Sequence, residues 1–126
     1  MIFVDANVFM YAVGRPHPLK EPARQFFLTD HPIPLVTSSE VLQELLHAYL
    51  PIGRLDAFDA ALALAEARTE TIWSTEPADV RAARDLSARH PQLAARDLLH
   101  VACCVHRNIT QIHTYDRALA AAFATA

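Results

Sequence analysis

Two aspartates follow short apolar segments of the kind that form buried strands. Asp5 comes directly after Ile2 to Val4, and Asp116 comes directly after Gln111 to Tyr115. In open α/β sheets, ligands bind at the carboxyl ends of the strands, so both carboxylates would serve one site if the two strands are neighbours. Each aspartate also fits the N-cap of the helix that follows it, which is a frequent role of this residue.

Two glutamates lie near the start of one predicted helix. The pattern Thr37-x-x-Glu40 is a capping box, in which the glutamate bonds the backbone at the helix start, so we expect Glu40 to be structural. Glu44 lies one turn further along and outside the apolar face of the helix. That position suits a surface residue, but the helix begins at the sheet edge where Asp5 ends its strand, which places Glu44 within reach of the same cleft.

An aspartate and a histidine interrupt the otherwise apolar segment from Ala94 to Arg107. Asp97 and His100 are three residues apart and are therefore neighbours on one face of the predicted helix. A helix that is apolar around most of its circumference is usually buried, and a buried acid is rare unless it is paired, hydrogen-bonded or bound to a metal. The alternative is a helix-terminal aspartate beside a core histidine. We expect His100 to hold its neighbours rather than to act as a general base.

Carboxylates that converge on one point repel one another, by about 4 kcal/mol for two charges about 4 Å apart at an effective dielectric of about 20. If Asp5, Glu44, Asp97 and Asp116 converge, the cluster requires a cation. Ligand sets made of oxygen favour Mg2+ or Mn2+. A metal that holds both the attacking and the leaving oxygen of a phosphate is suited to phosphodiester hydrolysis.

Strands and helices that would position these acids alternate along the chain. The predicted strands are Ile2–Val4, Ile33–Thr37, Thr71–Ser74 and Gln111–Tyr115. The predicted helices are Asn7–Val13, Glu21–Thr29, Ser38–Leu50, Leu55–Arg68, Pro77–Arg89, Ala94–Arg107 and Arg117–Phe123. The strands are apolar throughout rather than at alternate positions, which is typical of a mostly parallel sheet covered by helices on both faces.

Composition limits the class of protein. A chain of 126 residues suits a single domain over residues 1–126. The formal charge of -3 argues against a protein that coats nucleic acid through bulk positive charge. The only cysteines are the adjacent Cys103 and Cys104, so we expect neither a disulfide framework nor a thiolate zinc site. Since no segment has the pattern of a membrane span or a signal peptide, we expect a cytoplasmic protein.

The order and spacing of four segments resemble those of the PIN-domain ribonucleases, and among them the VapC toxins of bacterial toxin–antitoxin pairs. The segments span essentially the whole chain and are Val4-Asp5-Ala6-Asn7-Val8, Thr37-Ser38 with Val41-Leu42-Gln43-Glu44-Leu45, Arg96-Asp97-Leu98-Leu99-His100-Val101-Ala102, and Thr114-Tyr115-Asp116. The resemblance implies a PIN-like three-layer α/β/α fold with a mostly parallel sheet of four to five strands. It also implies an endoribonuclease that cleaves RNA phosphodiester bonds with Mg2+ or Mn2+.

The same resemblance implies roles for individual residues and for partners. The catalytic and metal-binding acids would be Asp5, Glu44, Asp97 and Asp116, and the polar groups that orient them would be Asn7, Ser38 and Thr114. The family members are usually homodimers, held inactive by a VapB-type antitoxin whose tail enters the acidic cleft. An RNA substrate would have to be bound despite the negative net charge. The candidate phosphate contacts are Arg15, Lys20, Arg24, Arg54, Arg96 and Arg117.

Two other functions compete with this interpretation. A phosphatase of the haloacid-dehalogenase type also begins with a strand ending in aspartate, but its D-x-D-x-T pattern is missing because Asn7 replaces the second aspartate and Phe9 the threonine. A non-catalytic docking module with the same fold is the second alternative, and the presence of all four acids argues against it. A response-regulator receiver is excluded because it needs a late lysine, and the only lysine is Lys20.

Overall fold

Four strands and seven helices alternate along the chain in the computed structural model, which describes residues 1–126. The strands are β1 (Ile2–Val4), β2 (Leu35–Ser38), β3 (Thr71–Trp73) and β4 (Gln111–His113). The helices are α1 (Ala6–Val13), α2 (Lys20–Leu28), α3 (Ser39–Tyr49), α4 (Leu55–Arg68), α5 (Pro77–Leu86), α6 (Ala95–His106) and α7 (Arg117–Ala124). Every predicted strand and helix is present, with ends that differ by up to three residues.

The strands form one sheet in the order β3-β2-β1-β4, and every neighbouring pair is parallel. With helices on both faces, this is the predicted three-layer α/β/α arrangement, and the sheet has four strands. A parallel sheet needs apolar residues on both sides of each strand. Accordingly, Phe3, Val4 and Val36 are fully buried. No helix has both the length and the apolar character required to cross a membrane.

The register of the sheet decides which residues meet at its carboxyl edge. Val4 of β1 lies opposite His113 of β4, so Asp5 and Thr114, the next residues in each strand direction, lie side by side. The backbone N–H of Asp5 donates to the carbonyl of His113 at 3.1 Å, which carries the pairing one residue past the strand. The strands that precede Asp5 and Asp116 are therefore neighbours, the condition under which both acids can serve one site.

Two clusters of apolar side chains hold the layers together. The larger is built on β1, β2 and helices α1 to α4 and includes Phe9 and Leu45, and the smaller joins α5, α6 and α7 around Val101 and Leu119. Helix α6 contributes to both clusters, since its Cys104 belongs to the larger one. Only a few apolar side chains of α6 reach solvent, among them Val105, so the predicted burial of this helix is confirmed.

The predicted capping box at the start of α3 is wrong. The N-cap is Ser38, whose hydroxyl accepts from the backbone N–H of Val41 at 3.4 Å. Thr37 lies inside β2, and its hydroxyl donates to the carbonyl of Val4 at 2.9 Å. Strand β2 extends through Ser38 because that residue pairs with Trp73 of β3, and this pairing moves the helix start one residue along. Glu40 therefore has no capping role.

A buried ionic network ties α5 to the end of α6. The carboxylate of Asp79 is 1% exposed and accepts hydrogen bonds at 2.9 Å from both His106 Nδ1 and Arg107. Its second oxygen accepts from the backbone N–H of Glu76 at 2.8 Å. Burial acts to raise the pKa of Asp79, but the hydrogen bonds from Arg107, Glu76 and His106 outweigh it, so the pKa lies below its ordinary value.

Asp79→Asn is expected to lower the free energy of unfolding by about 3 kcal/mol, because it removes the buried counter-charge of the Arg107 guanidinium, which is only 19% exposed. Since the pKa of Asp79 is lower in the folded than in the unfolded protein, its contribution is present above the ordinary value of 3.8 and is lost as the pH falls through the folded value. Urea denaturation at neutral and at acid pH measures both effects.

The matched control is Asp85→Asn, which makes the same chemical change on the same helix. Asp85 is 77% exposed and pairs only with the equally exposed Arg84, so wild-type stability is expected. Equal stability of the Asp79 and Asp85 variants at neutral pH would contradict a structural role for the buried network.

Candidate active site

Asp5 is the central acid at the carboxyl edge of the sheet. It follows β1 directly and is the N-cap of α1, where its Oδ1 accepts from the backbone N–H of Ala6 at 2.7 Å. Its Oδ2 accepts from the hydroxyl of Thr114 at 2.7 Å and faces the amide nitrogen of Asn7 at 3.3 Å. Both carboxylate oxygens are thus held in place, and the side chain is 7% exposed.

Asn7 and Thr114 connect β1 to the segment that follows β4. The Asn7 amide nitrogen donates to the Thr114 hydroxyl at 3.2 Å, and its amide oxygen accepts from the backbone N–H of Tyr115 at the same distance. The Thr114 hydroxyl also accepts from the backbone N–H of Asp116 at 3.0 Å. One network of side chains therefore sets the positions of Asp5 and Asp116 relative to each other.

Glu44 of α3 and His100 of α6 meet across the cluster. His100 Nε2 lies 2.5 Å from Glu44 Oε1 and 3.7 Å from Asp5 Oδ1, and the histidine is 1% exposed. Burial acts to lower the pKa of His100, but the hydrogen bond and charge of Glu44, with the charges of Asp5 and Asp97, outweigh it and raise the pKa. The two carboxylates that flank His100 therefore stabilise its charged form.

Asp97 lies in the first turn of α6, and its pKa is raised above its ordinary value. Burial raises its pKa, and the charges of Asp116, Asp5 and Glu44 raise it further, against an opposing effect of His100. The pKa of Asp5 is also raised, chiefly by burial. Asp97 therefore lies close enough to Asp116, Asp5 and Glu44 for their charges to act on it.

Asp116 is the N-cap of α7, since its Oδ1 accepts from the backbone N–H groups of Ala118 at 2.9 Å and Leu119 at 3.1 Å. Asp116 therefore caps α7, and it also lies close enough to Asp97 for its charge to act on that residue. Ser38 has a different position from the one expected of an acid-orienting group, because its hydroxyl caps α3 and makes no hydrogen bond to a carboxylate. It acts on the cluster only through the helix that carries Glu44.

Ligand atoms of Asp5, Glu44 and His100 all lie within 4.8 Å of one another, which is close enough to surround one metal ion. The helical spacing predicted that His100 lies beside Asp97. It could not predict the contact of His100 with Glu44, because the two residues are 56 positions apart and no local pattern relates them. The carboxylate oxygens around this point fit Mg2+ or Mn2+ better than a softer ion, and His100 Nε2 is already bonded to Glu44.

The adjacent cysteines do not provide a nucleophile. Both are buried, and burial raises the pKa of Cys103 to about 11 and that of Cys104 further still. A thiol must lose its proton to attack, so these side chains pack as apolar groups.

The candidate phosphate-binding cations are spread over several surfaces. Arg15 and Arg54 line a cavity that also contains Asn7, and Arg24 lines a separate apolar groove. Lys20 donates to the carbonyl of Gly14 at 2.6 Å. Arg96 and Arg117 are exposed and flank Asp97 and Asp116 in the sequence.

Comparison with known proteins agrees with this geometry. The PIN domain family model matches residues 2–123. Ribonuclease VapC23 of Mycobacterium tuberculosis is 59% identical over 125 residues, which are 98% of each chain. The crystal structure of Mycobacterium tuberculosis VapC20, a toxin that cleaves the sarcin–ricin loop, superposes with a TM-score of 0.75 at 21% identity and covers 97% of this chain and 95% of that one.

A second solved structure has the same fold. VapBC2 from Rickettsia felis, bound to a DNA fragment of its promoter, matches with a TM-score of 0.66 at 18% identity, over 92% of this chain and 88% of that one. At such identity the structures support the fold alone, whereas the family model and VapC23 cover nearly every residue. The chain therefore belongs to the PIN-domain family, among its VapC-type ribonucleases.

Proposed function

We propose that this protein is an endoribonuclease that hydrolyses RNA phosphodiester bonds with Mg2+ or Mn2+, and that it is the toxin of a VapBC-type toxin–antitoxin pair. The observation that carries the proposal is the meeting of acids from β1, α3, α6 and the segment after β4 at one sheet edge. VapC23, which is similar over nearly the whole length, is a ribonuclease by name. The two cysteines offer no competing nucleophile, since both thiols are buried.

Asp5, Glu44, Asp97 and Asp116 are the residues that would hold the ion and catalyse cleavage. A bound Mg2+ or Mn2+ supplies an activated water and neutralises charge on the phosphate. Asp5 contributes the most rigidly placed carboxylate, because Ala6, Asn7 and Thr114 hold its oxygens. Asp97 contributes a charge that burial and the neighbouring carboxylates disfavour in the absence of an ion, which favours cation binding.

Four neighbouring residues act as positioning residues. Asn7 and Thr114 orient Asp5 and tie it to the backbone of Asp116. Ser38 caps α3 and so sets the start of the helix that carries Glu44. His100 keeps Glu44 and Asp5 apart and holds Glu44 through its Nε2.

The partners follow from the same assignment. We infer a cognate VapB-type antitoxin, since VapBC2 of similar fold is a toxin–antitoxin complex by its name, together with an RNA substrate and a second copy of this chain. Large apolar side chains remain exposed and could be covered by such partners: Leu28, Leu50, Ile52 and Leu55. The reduced, buried cysteine pair fits a cytoplasmic location.

RNA cleavage with Mg2+, with Mn2+ and with a chelator tests the proposal. We expect cleavage of single-stranded RNA only with the ions, and a loss of at least about a hundred-fold in Glu44→Gln, because removing a ligand should cost more than the roughly 10- to 100-fold loss of an outer-sphere partner.

Glu40→Gln is the control on the same helix and should retain most activity, since Glu40 is not among the side chains that cluster around the possible metal position. Inactivity of Glu40→Gln with an active Glu44→Gln would show that the two glutamates have the opposite roles. A folded wild-type protein that binds RNA without cleaving it under any metal condition would support the non-catalytic docking module instead.

A further inference from the structure

A cavity of about 600 Å³ opens directly beside the acidic cluster. It lies between the end of α1 with the loop that follows, the end of α3 and the start of α4. Asn7 joins the two features, because it lines the cavity while its amide nitrogen lies 3.3 Å from Asp5 Oδ2. Ligand pockets in proteins typically have volumes of about 300–1,000 Å³, so a molecule that reaches the carboxylates has a binding-sized space next to it.

Aromatic rings form part of the cavity wall. Tyr11, His17 and Tyr49 all line it. The ring of Tyr11 packs against that of His17 with centroids 4.6 Å apart, and the edge of Tyr115 supports it at 5.7 Å. Such rings provide the flat apolar faces on which nucleobases stack in proteins that bind single strands.

Two guanidinium groups provide the charge of the cavity. Arg15 is exposed and makes no side-chain hydrogen bond or ion pair. Arg54 pairs with Asp56 at 3.0 Å, but the two side chains are 42% and 73% exposed, and surface pairs of this kind are weak enough to exchange for another anion. Although the chain has a net charge of -3, Arg15 and Arg54 therefore give this cavity a positive surface that suits a phosphate.

The second large cavity has a different chemistry. It has a volume of about 440 Å³, and its lining is apolar apart from Arg24, with Phe27, Leu28 and Leu64 among its residues. That surface suits the apolar face of a protein segment. It has one guanidinium group and one aromatic ring, whereas the cavity beside Asn7 has two guanidinium groups and three rings.

We propose that the cavity beside Asn7 binds the nucleotide adjacent to the scissile phosphate of a single-stranded RNA and selects its base. The base packs against Tyr11, His17 and Tyr49, and Arg15 and Arg54 bind the neighbouring phosphates. This inference rests on the proposed ribonuclease function, because the carboxylates must hold the scissile phosphate for the cavity to receive the next nucleotide. According to this inference, the residues that line the cavity determine which base is preferred, and the acids do not.

A pool of short single-stranded RNAs of random sequence tests the base preference, which sequencing of the cleaved ends reads directly. The preferred sequence is then used for steady-state kinetics, both intact and with an abasic residue next to the cleaved bond. We expect the abasic substrate to raise the KM of the wild-type protein about ten-fold or more, the cost of losing one stacked base. We expect Tyr49→Ala to lose the base preference and Tyr49→Phe to keep it.

Arg15→Gln is the variant that carries no risk to folding, because its side chain is exposed. We expect a KM raised about ten-fold with kcat within about two-fold of wild type, the pattern of lost ground-state binding. Arg81→Gln makes the same charge change on the exposed face of α5 and serves as the control.

Three results would overturn the inference while leaving the ribonuclease function intact. The first is equal KM values for the Arg15 and Arg81 variants. The second is equal cleavage of the intact and abasic substrates. The third is an Arg15→Gln variant that cleaves RNA like wild type but is no longer inhibited by a peptide of the antitoxin tail. The last would assign the cavity to a protein partner. Failure of the wild-type protein to cleave any RNA in the pool with Mg2+ or Mn2+ would instead reject the proposed function, and the inference with it.

Discussion

Asp5→Asn is expected to reduce metal-dependent RNA cleavage by at least about a thousand-fold, well beyond the roughly 10- to 100-fold cost of losing a partner outside the ligand set. The substitution removes a charge from the centre of the site but preserves the shape of the side chain. Asn can still accept the hydrogen bond from the backbone N–H of Ala6, so the N-cap of α1 is retained. Cleavage assays combined with circular dichroism measure activity and folding separately.

Two comparisons make this result specific. Asp59→Asn makes the same change at an exposed position of α4 and should retain full activity. His100→Asn should lose only about ten-fold, because the histidine positions Glu44 and Asp5 and is not proposed to react. Wild-type turnover by folded Asp5→Asn would contradict the site, and a complete loss in folded His100→Asn would give the histidine a direct catalytic role.

Asp97→Asn is expected to melt at a higher temperature than wild type in a chelator and to gain little from Mg2+ or Mn2+. The pKa of Asp97 is raised by burial and by the charges of Asp116, Asp5 and Glu44, so neutralising this carboxyl relieves repulsion in the metal-free protein. Wild type gains stability from the ion in proportion to its binding. Thermal melts of both proteins, first in chelator and then in excess metal, measure the two effects.

The pH dependence gives an independent check on Asp97. Since its pKa is higher in the folded protein than its ordinary value of 3.8, the folded state binds more protons between the two values. The free energy of unfolding of the metal-free wild type therefore falls as the pH rises through that window, and the fall should be smaller in Asp97→Asn. Asp59→Asn is again the control, with wild-type behaviour in both melts. If Asp97→Asn melts at a lower temperature than wild type in chelator, and metal raises both melting temperatures equally, then Asp97 only stabilises the start of its helix.

Local patterns in the sequence carry most of the architecture. Short, wholly apolar segments such as Ile2 to Val4 predicted buried parallel strands, and the observed sheet is parallel throughout. Strand β4 is shorter than predicted because its pairing partner β1 is only three residues long. The capping prediction failed for a related reason, since Thr37 and Ser38 both fit an N-cap and only the pairing of Ser38 with Trp73 decides between them.

Residue type and position along a strand or helix were sufficient to select the four acids, because a charged group at a strand end or in an apolar helix is costly unless it is used. The sequence by itself thus determined which carboxylates are available and on which strands and helices they lie. Only the tertiary structure decided that β1 and β4 are neighbours, that His100 contacts Glu44 across 56 positions, and that Asn7 joins the cluster to an aromatic cavity. These contacts depend on strand order and helix packing, which are set by the whole core and leave no local pattern in the sequence.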